Sequence, residues 1–304
     1  MPVTLLLLYF IAGVATNSFA KLTSCELRQA PRAKYLLYIT VNGILACLFF
    51  CLIGRFSISV NSVTLIYALI YAVIVAGSLI ATPLAYNLMS VSGVGIIRSG
   101  FGLVCTVTVG ALLFSEKITS IVILRVVLTL ASVIFVMLES KSGETPRGKR
   151  ENGKKIKARG VLLILVLILN VIVVCTNTLI IKYFTLDTRT TDENSFFFLT
   201  NVFLVVGCII LLAAELIRDR EGARSALSIF KPRAMIGIVG NTLSANLGTL
   251  LSSWIIVGMD ISVYTPVMSS IGIIAGFIGS LLFREKLRFC SYIAIVAAIL
   301  AVVI

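Results

Sequence analysis

Two arginines stand inside apolar runs, far from any acidic residue in the sequence around them. Arg98 and Arg125 each lie seven residues into a long hydrophobic segment, Val91–Phe114 and Ile118–Leu138. A guanidinium stays protonated and presents five donors in a rigid fork. Its chemistry is therefore the holding of carboxylates or phosphates. Such a charge in hydrocarbon costs about 2.5–3.5 kcal/mol on insertion scales, so it calls for a reason. For Arg98 the preferred reason is contact with an anionic group of a solute, with Ser99 and Gly100 beside it forming a polar, closely packed wall. The competing account is a long side chain that snorkels to the interface. For Arg125, set in the strongly apolar run Ile121–Leu130, snorkelling or pairing with backbone carbonyls is preferred.

Uncharged polar residues are scattered through the other apolar runs, and in lipid most of them join helices by hydrogen bonds. Asn17 and Asn177 are the better binding candidates, because Thr16-Asn17 recurs as Thr176-Asn177. Ser269 and Tyr86 complete the expected substrate-binding set of Arg98, Asn17, Asn177, Ser99, Ser269 and Tyr86. Glu116 and Glu285 occupy matching turns beside Lys117 and Lys286. Their expected role is electrostatic support of the fifth and tenth helix N-termini.

No catalytic residue and no metal ligand set is expected. The chain contains no histidine, which excludes Ser-His and Cys-His chemistry and imidazole metal sites. The seven cysteines form no CxxC pair and read as small apolar residues. No cofactor is implied.

The elements that must carry these residues follow from composition. The 304 residues are 59% hydrophobic and 13% charged, with mean hydropathy +1.09. A soluble domain is about 45–50% apolar and about 25% charged. Lipid is the solvent that such a chain requires.

At roughly 20 apolar residues per crossing, ten spans emerge: Pro2–Ala20, Tyr35–Ile53, Val63–Asn87, Val91–Phe114, Ile118–Leu138, Gly160–Ile181, Ser195–Ala214, Ala234–Met259, Ile261–Phe283 and Phe289–Ile304. The polar stretch Glu139–Arg159 is the midpoint. GALLFSEK at Gly110–Lys117 matches GSLLFREK at Gly279–Lys286 in six of eight places. YLLYIT at Tyr35–Thr40 sits opposite SFFFLT at Ser195–Thr200. Five spans is an odd number, so a repeated half must enter from the opposite face. The expected fold is an all-α membrane protein of ten transmembrane helices in two inverted five-helix repeats. The repeats are 1–139 and 160–304, with a basic cytoplasmic linker at 140–159. Gly102, Thr106 and Gly110, and likewise Gly272, Gly276 and Ser280, form stripes of small residues expected to pack against other helices.

The chain carries +13 net charge. Twenty of its basic residues fall on links after the odd-numbered spans and four on the opposite side. That asymmetry sets membrane orientation, and it places the linker in the cytoplasm and both termini outside it.

The stretches GIIRSGFGLVCTVTVGALLFSEKIT (Gly95–Thr119) and TPVMSSIGIIAGFIGSLLFREKLRFCSYIAIVAAILAVV (Thr265–Val303) resemble the two repeats of EamA-type members of the drug/metabolite transporter superfamily. The FYNN-type and GALNK-type motifs of similar nucleotide-sugar transporters are absent, so the resemblance does not carry that substrate class. It implies a secondary transporter, not an enzyme, that moves a small polar or anionic metabolite by alternating access. The alternative is a flippase for a phosphorylated lipid carrier, and an intramembrane enzyme is the more distant rival. Expected partners are a small-molecule solute, membrane lipid and a second copy of the chain in a homodimer, with nucleic acid excluded. The expected location is a bacterial inner membrane.

Overall fold

Within hydrocarbon the backbone must satisfy its own N–H and C=O groups, so each apolar run closes on itself as a helix. The computed structural model describes residues 3–27, 32–88, 91–141, 153–219, 226–282 and 289–304. Within these, the side chains at 21, 24–27, 78–88, 91–101, 136–141, 153–167, 170, 280 and 291 lie outside the description.

Among the described residues there are ten α-helices and no strand. They are α1 (Val3–Leu27), α2 (Arg32–Ile53), α3 (Ser62–Leu88), α4 (Val91–Phe114), α5 (Ser120–Lys141), α6 (Gly153–Leu186), α7 (Glu193–Arg218), α8 (Pro232–Val257), α9 (Ile261–Leu282) and α10 (Phe289–Val303). A short 3-10 turn, Leu227–Phe230, precedes α8. Five helices, α1, α2, α7, α8 and α9, contain stretches long and apolar enough to cross a membrane, and α3, α4, α5, α6 and α10 contain shorter apolar stretches. Large side chains such as Leu112, Ile217 and Phe289 lie outward and more than three-quarters exposed. This is a helical, multi-pass membrane protein.

Several helices outrun their apolar segments. α5 continues to Lys141 and α6 begins at Gly153, so the linker expected at 140–159 is helical at both ends. Lys, Glu, Arg and Ala are good helix formers, and charged side chains extend the helix once it leaves the apolar layer.

The chain forms two compact units, Met1–Val75 with Ile180–Gly258, and Ala76–Leu179 with Met259–Ile304. Each therefore draws helices from both halves of the sequence.

In the first unit α1 packs along α8 and α2 along α7. Its aromatic core joins Phe50, Tyr71, Phe184, Phe196 and Phe197, with Phe184 and Phe196 stacked at 4.2 Å between ring centroids. The SFFFLT segment supplies two of these rings. Gly240 sits where any Cβ would stand 2.5 Å from the Phe19 ring, so only glycine lets α1 approach α8 there. The end of α1 meets the start of α8, where Gly237 faces Thr23.

In the second unit α5 packs on α10, and α4 on both α5 and α9. Leu103, Val107 and Val122 form one apolar cluster, and Cys175, Leu179 and Ile261 form another. The pairings α2 with α7, α4 with α9 and α5 with α10 each join a helix to the one five places later.

The small-residue stripes divide. A Cβ on Gly110 would lie 2.6 Å from Ile261 and one on Gly102 3.1 Å from Val174, so those positions are packing contacts. A Cβ on Gly272 or Gly276 would meet nothing within 4 Å among the described residues. Among the described residues the second stripe meets no packing partner at these positions.

Candidate functional site

The first unit places a polar seam between α2 and α8. The Asn241 amide donates to the Tyr38 hydroxyl at 3.3 Å, while its own Oδ1 is buried with no partner. The Thr242 hydroxyl has one hydrogen and two acceptors in reach, Asn42 Oδ1 and the Ile238 carbonyl. Asn246 donates to the Thr242 carbonyl at 2.7 Å. Side chains of this kind hold helices together without help from the hydrophobic effect, which is weak between helices in lipid. They also offer a polar solute neutral donors and acceptors.

The second unit holds a parallel set. Thr129 of α5 and Ser270 of α9 share a hydrogen bond at 2.9 Å, and Ser132 donates to the Ala294 carbonyl of α10 at 2.8 Å. Thr106, Ser262 and Thr265 carry buried hydroxyl oxygens without protein partners. Arg125 is half-buried, and its Nε is buried without a partner.

The structure distributes the residues expected to bind substrate. Asn17 is exposed on α1 in the first unit. Asn177 is half-buried on α6 in the second unit, where its Oδ1 lacks a partner. Thr16 and Thr176 repeat the same local bond, each hydroxyl donating to the carbonyl four residues earlier, at 2.8 and 2.7 Å. Ser269 is half-buried on α9. Tyr86 falls on α3, and Arg98 and Ser99 on α4, but their side chains lie outside the described residues.

Charged residues at the helix ends do more than orientation requires. Glu116 accepts from the backbone N–H groups of Ile261 at 2.7 Å and Ser262 at 2.8 Å. It therefore caps the N-terminus of α9 rather than that of α5, and satisfies two of the N–H groups left open at a helix start. Lys182 is buried on α6, where its Nζ donates to the Ile256 carbonyl in the last turn of α8 at 2.7 Å.

The links after α2 and α6 are joined in the first unit. Ser59 N–H donates to Ser195 Oγ at 2.9 Å, Ser59 Oγ to Asp192 at 3.0 Å, and Asn61 to the Arg189 carbonyl at 2.7 Å. Arg189 grips Asp187 through two bonds of 2.9 and 2.8 Å. That grip, with the Arg189 N–H, lowers the Asp187 carboxyl to about 2. Partial burial pushes Asp192 upward, but bonds from the Ser195 hydroxyl and N–H and from Ser59 outweigh it, so its net shift is downward.

Sequence reasoning passed over Asp192 and treated Lys182 and Arg189 only as loop charges. Asp192 with Ser195 three residues on, just ahead of an apolar run, was the available sign of a helix cap. The distant partners of Glu116 and Lys182 left no local sign.

No protein-family model matches the chain, and no curated protein does. Twenty-eight solved chains match it in structure. One of them, described only as "Crystal structure of protein", is 14% identical with a TM-score of 0.64, covering 99% of this chain and 96% of its own. At that identity the likeness extends to the fold alone.

Proposed function

We propose that this protein is a secondary transporter that moves a small polar or anionic metabolite by alternating access between two inverted five-helix repeats. The observation that carries this reading is the concentration of buried and half-buried polar side chains in apolar helices. Tyr38, Asn42, Asn241 and Thr242 in one unit, and Thr106, Thr129, Ser262, Thr265 and Ser270 in the other, sit where hydrocarbon penalises unmet polarity. Polar groups at that depth mark pathways for solutes and ions. Two further observations support the repeat. Three helices, α2, α4 and α5, pair with the helix five places later, and Thr16 and Thr176 make matching bonds.

Arg98 holds the anionic group of the solute, with Ser99, Tyr86, Asn17, Asn177 and Ser269 contributing to its path. The described span interiors contain no carboxylate and the chain no histidine, so the working cycle is exchange or facilitated diffusion rather than proton symport. Comparing metabolites in deletion and overexpressing cells nominates the solute, and counterflow in proteoliposomes tests it. Preloaded solute is expected to drive uptake without a pH gradient, and Arg98→Ala to abolish that uptake with insertion intact. Uptake that persists in Arg98→Ala, or that demands a proton gradient, overturns the reading.

A further inference from the structure

Three hydroxyls in the second unit make no protein hydrogen bond of good geometry although they are almost wholly enclosed. Thr106 of α4 is 0% exposed, Ser262 and Thr265 of α9 are 1% and 8% exposed, and the oxygen of each is buried and unbonded. An unmet buried polar group costs about 1–3 kcal/mol. Three on one helix pair call for an occupant.

Register brings them together. Glu116, just beyond the end of α4, reaches the first residues of α9, and Gly110 abuts Ile261. The two helices therefore run antiparallel here. Thr106, one turn before Gly110, stands opposite the turn after Ile261, which carries Thr265. The Cys175 thiol of α6 lies beside Thr106 without forming a bond of good geometry.

Pro266 adds a fourth oxygen. It lies inside α9 and has no N–H, so the Ser262 carbonyl four residues earlier loses its helical donor. At 100° per residue, positions 262, 265 and 266 fall on one side of the helix. That side offers a carbonyl and two hydroxyls, and α4 offers the third hydroxyl across from them.

The donor set defines the ligand. Oxygens without formal charge suit a small hard monovalent cation, whereas calcium and magnesium sites draw on carboxylates. Carbonyls released at helix breaks hold sodium in membrane carriers. The positive end of α9 would oppose a cation, but the Glu116 carboxylate lies on that end and offsets it.

We propose that the second unit binds a dehydrated, sodium-sized cation between α4 and α9, on the hydroxyls of Thr106, Ser262 and Thr265 and the carbonyl of Ser262. Binding stands independently of transport; a part for the ion in the transport cycle rests on the carrier reading above. The test uses the purified full chain in detergent, with sodium, potassium or choline chloride at one ionic strength. Sodium is expected to raise the unfolding midpoint saturably over choline, and radioactive sodium to bind. Thr106→Val and Thr265→Val keep side-chain shape and are expected to weaken sodium binding at least about tenfold. Ser262→Ala provides the same reading if either valine variant fails to fold. Equal midpoints in all three salts with no sodium bound overturn the proposal, as does undiminished binding in the variants. Sodium binding without any solute flux in proteoliposomes supports the site and overturns the carrier reading.

Discussion

Asp187 and Arg189 show how a short polar link is kept in one conformation at the edge of an apolar layer. The guanidinium takes both carboxylate oxygens, Tyr67 donates weakly to the same carboxylate at 3.5 Å, and Thr190 turns back onto the Phe184 carbonyl at 3.0 Å. Arg189 is 74% exposed, so the ion pair is screened by salt and contributes little by itself. Its value lies in holding the link that carries Asp192, which in turn caps α7 and bonds Ser59. The folded pKa of Asp187 is lowered to about 2, from an unfolded value of about 3.9. A lowered carboxyl stabilises the fold above the unfolded value and loses that contribution as pH falls through the folded one. Amide exchange at 187–192 is therefore expected to keep the same protection factors from pH 8 to pH 5. Protection should fall between about pH 4 and pH 2, and Asp187→Asn should give the unprotected pattern at neutral pH. Loss of protection near pH 6 in the unaltered chain would contradict this account.

Helix contacts in the second unit depend on small residues at chosen points rather than along a stripe. Gly110→Val would drive new methyl groups into Ile261, already 2.6 Å from the place of the Cβ. Overpacking of this kind costs about 1–3 kcal/mol, and it also shifts the turn of α9 that Glu116 caps. Gly272→Ala meets nothing within 4 Å and is expected to be neutral or slightly stabilising, since alanine favours helix over glycine. Thermal unfolding of both variants in detergent checks the contrast, and equal midpoints would sink it. The two glycine rows look alike in sequence because spacing reports which residues share a face, not what that face meets. The helices were legible for the opposite reason. Runs such as Val91–Phe114 need no partner to declare themselves, and α4 has those same bounds. The cap on α7 was legible in Asp192 and Ser195, three residues apart. The cap on α9 was not, because Glu116 lies 145 residues from Ile261. Of the expected solute-binding residues, Asn177 carries an independent sign of unmet polarity in its buried Oδ1, whereas Asn17 is exposed.

The charge pattern predicts how the whole chain lies in the membrane, and contacts within each unit can be compared with that prediction. In the first unit the link after α2 bonds to the link after α6, through Ser59, Asn61, Arg189 and Asp192. At the opposite ends of those helices, Thr23 near the end of α1 faces Gly237 at the start of α8, and the 3-10 turn before α8 touches α2. In the second unit the turn after α4 reaches the link before α9 through Glu116. Within the first unit the links after α2 and α6 meet, and the end of α1 meets the start of α8, the pairing that alternating crossings would give. The odd-numbered side carries 20 basic residues and the other side four. Links rich in Lys and Arg are retained in the cytoplasm, so the even-numbered side and both termini are expected to face away from it. A reporter fused after Ile304 is expected to be active only outside the cytoplasm, and one placed between Gly143 and Glu151 only within it. Replacing Lys149, Arg150, Lys154 and Lys155 together with neutral residues should leave 16 basic residues against four, and should preserve the orientation. Cytoplasmic activity of the Ile304 fusion would overturn the prediction, because the ten alternating crossings expected from the sequence would then put both ends of the chain in the cytoplasm.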